Sequence, residues 1–66
     1  MLRVKGNNGQ IFVFNNFQPL PEGLEAEVEV ENEKNWHLAI IGSEKDIIAY
    51  MDKQPKDADI EVITPH

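Results

Sequence analysis

Apolar and polar residues alternate along three stretches of this chain and run together in two others. Leu2 and Val4 alternate with Arg3 and Lys5. Leu24, Ala26, Val28 and Val30 alternate with Glu25, Glu27, Glu29 and Glu31, and Ile60, Val62 and Thr64 with Glu61 and Ile63. Period-two alternation marks a strand with one covered face. Gln10–Phe14 and Trp36–Ile41 are almost continuously apolar, as strands covered on both faces are. One segment has helical spacing instead, with Ile47, Ile48, Met51 and Tyr50 recurring at three- and four-residue intervals. Ser43 stands in the capping position, and Asp46 follows three residues later, close to a capping box. Glu44 and Asp46 in the first turn and Lys53 in the last complement the helix dipole, and Pro55 ends the helix.

The connections follow from turn chemistry. Gly6-Asn7-Asn8-Gly9 tolerates the positive φ of a tight hairpin. A two-residue turn there puts Leu2 and Val4 on one face with Ile11 and Val13, whereas a three-residue loop pairs them with Phe12 and Phe14 instead. Asn15–Gly23, with two prolines, is a loop, and Asn32–Asn35 is a polar connection.

The order β-β-β-β-α-β predicts one α+β domain over residues 1–66, a five-stranded, mostly antiparallel sheet with one helix packed on one face. The fourth strand, the helix and the fifth strand have the form of a right-handed crossover between parallel strands. The alternative is a small curled barrel in which the first strand closes on the fifth. A single helix covers one side of a sheet, yet the second and fourth strands are apolar on both. That surplus predicts a homodimer with Phe12, Phe14 and Trp36 at its interface, since a large uncovered apolar face usually marks an association surface.

Composition narrows the chemistry. The chain has 66 residues and no cysteine, so disulfides and thiolate zinc sites are excluded. Its two histidines, His37 and His66, are too few for a structural metal site without carboxylate help. Ser43 is the only serine and Thr64 the only threonine. His37 lies ~20 Å from Ser43 along an extended strand, beyond hydrogen-bond reach, so no nucleophile–base pair forms and His37 reads as a strand histidine. The Gly42-Ser43 junction has the shape of an anion site, but Glu44 and Asp46 would repel the anion. Asp57, Asp59 and Glu61 lack the glycine and the distal glutamate of a calcium loop. No catalytic residue, metal or cofactor is therefore expected. The initial residues lack an apolar signal core and no run reaches membrane-spanning length, which predicts a soluble, cytoplasmic protein.

Twelve acidic residues against six basic ones give a net charge of −6, and Glu22, Glu25, Glu27, Glu29, Glu31 and Glu33 carry half of the acidic total. Direct nucleic-acid binding needs clustered cations and is disfavoured, as is an anionic membrane. Along one strand face the glutamates recur every ~6.7 Å, far more sparsely than the one charge per ~1.7 Å of duplex DNA. DNA mimicry is therefore the weaker functional reading, and docking on a basic protein surface through Glu25, Glu27, Glu29 and Glu31 the stronger. The bland reading is a solvated strand face offset by Arg3 and Lys5, should the first strand lie alongside. Phe17, in the long loop, is either an exposed anchor for the same partner or a lid over the core. In size, acidity and lack of catalytic groups the chain resembles phage or mobile-element inhibitors of host enzymes, a resemblance of type carried by no motif. It implies a non-catalytic inhibitor; a protein that sequesters a nucleotide or other small molecule is the alternative.

Overall fold

The computed structural model describes residues 1–64. It contains β1 (Leu2–Lys5), β2 (Ile11–Phe14), β3 (Glu25–Asn32), β4 (Asn35–Ile41), α1 (Glu44–Asp52) and β5 (Ile60–Ile63). The α+β class, the element order and the single helix match the reading of the sequence. The strands, however, divide into two antiparallel sheets, β1-β2-β5 and β3-β4, and neither closes into a barrel.

The hairpin between β1 and β2 shows how local chemistry sets the fold. Lys5 pairs with Ile11 and Leu2 with Phe14. The Gly6 amide donates to the Gln10 carbonyl (2.8 Å), and the Gly9 amide to the Gly6 carbonyl (3.0 Å). Gly9 has φ 88°. This is a three-residue loop: a turn over Gly6–Gly9 followed by a left-handed glycine. The two-residue turn is thereby corrected. Its face assignment is reversed, so Leu2 and Val4 lie with Phe12 and Phe14 on one face, and Arg3 and Lys5 share the opposite face with Ile11 and Val13, of which Val13 is buried.

A second correction concerns β5. No parallel crossover forms, because β5 pairs antiparallel with β2, from Ile11–Ile63 to Phe14–Ile60, and does not touch β4's edge as a neighbour. The return segment is guided there by the long loop. The Asn15 amide donates to the Asp59 carbonyl (2.8 Å), Asn16 Nδ2 donates to the Asp57 carbonyl (2.8 Å), and the Asp59 amide donates to Asn16 Oδ1 (2.9 Å). Two asparagines thus satisfy a segment that has no strand partner of its own.

The inner faces of the two sheets enclose the core: Leu2, Val4, Phe12, Phe14, Phe17 and Val28, with Leu20, Ala26, Val30, Trp36, Leu38 and Ile60 packed against it. The Phe12 and Trp36 rings are 4.8 Å apart between centroids, and those of Phe14 and Phe17 5.2 Å. Such pairs add about 0.5–1.5 kcal/mol each beyond burial, which matters in a domain this small.

The sheets meet where the hairpin turn reaches β3. Gly6 bridges Val28 in parallel, the Asn7 amide donates to the Val28 carbonyl (3.1 Å), and the Val30 amide donates to Asn7 Oδ1 (3.0 Å). A side chain on Gly6 would place its Cβ 2.8 Å from Phe12 Cε1.

Helix α1 begins as its sequence indicates: Ser43 Oγ accepts from the Asp46 amide (3.3 Å). Its anchor is Tyr50, which is buried, while Ile48 and Met51 of the expected stripe are exposed. The Tyr50 hydroxyl donates to the Gln18 carbonyl (2.6 Å), and Gln54 links the Gln18 amide to the Tyr50 carbonyl. The helix is therefore tied to the β2–β3 loop rather than seated on its apolar stripe.

Two substitutions probe these contacts. Gly6→Ala should lose about 1–3 kcal/mol in urea denaturation, because the buried Phe12 ring has no room to yield. Tyr50→Phe should lose about 1 kcal/mol near neutral pH with its hydrogen bond. Burial raises the Tyr50 phenol above its ordinary value, so the folded state holds that proton more tightly than the unfolded chain does. The associated stability is intact below about pH 10 and declines as the pH rises further. Urea titrations of Tyr50→Phe above that pH should show a shallower decline than wild type.

Candidate functional site

Alternation places Glu25, Glu27 and Glu29 on the outer face of the β3–β4 sheet, because Ala26, Val28 and Val30 are drawn into the core. The register sets Glu25 opposite Ile41, Glu27 opposite Ala39 and Glu29 opposite His37. The face therefore has two columns, one of carboxylates and one running from an imidazole to an exposed isoleucine. Ile41 is 52% exposed. His37 Nε2 lies 3.0 Å from Glu29 Oε2, and both side chains are more than half exposed. Among the described residues this is the one contact within 4.0 Å between a carboxylate and a basic side chain. Arg3 and Lys5 are on the outer face of the other sheet, next to Val13 and Ile11, so they do not offset the ladder. The expectation that β1 lies alongside as a neutralising strand is overturned: β1 pairs with β2, and the bridge to β3, from Gly6 to Val28, lies beyond its end.

Glu31 departs from the row. The register shifts between Val30 and Asn32, and Glu31 joins Glu33 on the wall of a cleft of about 580 Å³ at the end of the sandwich. Phe12, Val30, Trp36 and Val62 line its apolar side, and Asn8, Gln10 and Asn32 its polar side. The cleft exists because the hairpin turn pins β3 at Val28 and Val30, while the β3–β4 turn runs on beyond that point. Sequence reasoning missed it, since its walls come from four separate segments. The one signal available was the pair Glu31 and Glu33, one before and one within the polar turn that precedes Trp36.

The residues assigned to partners and to a dimer are distributed differently from one another. Phe17, 6% exposed, closes over Phe14 as a lid, which removes the anchor alternative. Phe12 and Phe14 are 1% and 2% exposed inside their own chain and offer no surface to a second copy. Trp36 is half-buried, packed on Phe12 and facing the cleft. The two sheets cover each other's inner faces, while Ile41 on β4 and Val62 and Ile63 on β5 stay exposed.

Ser43 is occupied as the helix cap, and His37 faces Glu29. Among the described residues, no three His, Asp or Glu side chains come together as metal ligands, and no helix is long and apolar enough to cross a membrane. His66 lies outside the described residues. No protein-family model matches the chain, no curated protein matches its sequence, and no solved structure matches its fold.

A solvated face of like charges does not hold a fold together. Changing Glu25, Glu27 and Glu29 together to Gln should leave the urea midpoint unchanged or raise it at low salt, as repulsion is relieved and the exposed His37 pair is worth under about 1 kcal/mol. Val28→Ala on the opposite side of the same strand should lower the midpoint clearly, because it empties a fully buried site.

Proposed function

We propose that this chain is a small non-catalytic binding protein that docks, through the outer face of β3 and β4, on a basic surface of a larger protein and acts by occupying it. The observation that carries this reading is the carboxylate column Glu25, Glu27 and Glu29, uncompensated except at His37 and flanked by the exposed Ile41. Carboxylates left without cations raise the association rate with a basic surface, and an adjoining apolar column supplies contact area once the two meet. The placement of the only serine in a helix cap supports the non-catalytic half of the reading. An inhibitor of the phage or mobile-element type fits this description, as does a cytoplasmic setting for a cysteine-free chain. One copy suffices for docking; a homodimer remains an additional proposal, through the free edge of β4 rather than through Phe12 and Phe14.

The test is affinity capture with wild type and with the Glu25, Glu27 and Glu29 to Gln variant, followed by titration of the captured protein in purified form. The expected partner is basic, binds wild type more weakly as salt rises, and loses at least about tenfold in affinity against the variant. Equal binding of the variant, or binding indifferent to salt, overturns docking through this face. Light scattering of the purified chain decides the number of copies.

A further inference from the structure

We propose that the cleft beside Trp36 is a binding site for an arginine side chain presented by the basic partner; this rests on the docking reading for the source of that side chain. The cleft's volume, about 580 Å³, lies within the range of small-ligand sites and accommodates a long side chain with its flanking backbone. Its charged lining is wholly acidic: Glu31 and Glu33. Neither has a cation within 4.0 Å among the described residues, and Lys34, although adjacent in sequence, pairs with neither.

Most neutral polar groups of the lining are already engaged. Asn8 Nδ2 donates to Gln10 Oε1 (2.6 Å), Asn8 Oδ1 accepts from the Gln10 amide (3.1 Å), and Gln10 Nε2 donates to Thr64 Oγ1 (3.2 Å). Asn32 Oδ1 accepts from the amides of Lys34 (3.0 Å) and Asn35 (3.1 Å), closing the β3–β4 turn. The groups left to recognise a ligand are two carboxylates, the Asn32 Nδ2 donor and an aromatic wall. That combination selects an organic cation. It disfavours a nucleotide, whose phosphates the glutamates repel.

Between cations, the wall favours a guanidinium. Trp36 is half-buried, packed on Phe12 with centroids 4.8 Å apart, and still lines the cleft. A planar, weakly hydrated guanidinium stacks on an indole and presents paired donors to a carboxylate, whereas an ammonium is compact and strongly hydrated. Val30 and Val62 lie where the aliphatic stem would pass, and Val62 is exposed without such an occupant.

Trp36 is the only tryptophan, so its fluorescence reads the cleft directly. The probes are a blocked Gly-Arg-Gly peptide, the same peptide with citrulline for arginine, and free argininamide. The full chain is titrated as wild type, as E31Q/E33Q, and as the Glu25, Glu27 and Glu29 to Gln variant. The expected result is a saturable change with the arginine peptide at roughly millimolar concentration, none with citrulline, and at least about tenfold weaker binding by E31Q/E33Q with unchanged thermal unfolding. The variant in the outer column should bind the peptide as wild type does, so this readout stands or falls separately from docking. An equal response to citrulline, no saturation, or undiminished binding by E31Q/E33Q overturns the site. Argininamide binding more tightly than the peptide overturns a protein source for the cation.

Discussion

The contact between the first hairpin turn and the middle of β3 governs the rest of this structure. Gly6 bridges Val28, and Asn7 uses both its amide and its carboxamide oxygen to hold β3 at Val28 and Val30. Two short sheets, neither able to bury a face alone, are thereby held face to face. Val28 becomes fully buried and Phe12 nearly so. Any side chain at Gly6 would meet the Phe12 ring, so the backbone junction and the core packing are a single constraint.

That junction also distributes charge and access. Because β1 approaches β3 with its backbone at Gly6, its basic side chains stay on the far sheet, and the glutamates of β3 keep an outer face almost without cations. The strand irregularity after Val30 then brings Glu31 to the wall of the cleft with Glu33 and Trp36. Both candidate surfaces follow from one place where the chain is held and another where it is released.

The loop between β2 and β3 does what a longer hydrophobic core would do in a larger domain. Phe17 closes over Phe14, Asn15 and Asn16 hold the segment leading into β5, and Gln18 receives Tyr50 from the helix. Read as sequence it is a polar, proline-containing connection. Its stabilising part lies in hydrogen bonds to residues about 30 to 45 positions away, which no local pattern encodes.

The sequence by itself determined each element and the dry side of β1 and β3, because alternation and capping are local: Ser43 caps α1, and Ala26, Val28 and Val30 turn inward without reference to a partner. It also determined that Glu25, Glu27 and Glu29 share one solvated face. It left undecided which hairpin loop forms, and that single-residue choice moved Phe12 and Phe14 from opposite Leu2 and Val4 to beside them. Only the tertiary structure decided that β5 joins β2, that two sheets form where one was expected, and that Tyr50 rather than Ile48 anchors the helix. Those outcomes depend on long-range contacts whose gain offsets loop-closure entropy only when the whole core assembles, so they belong to the assembled chain and to no segment of it.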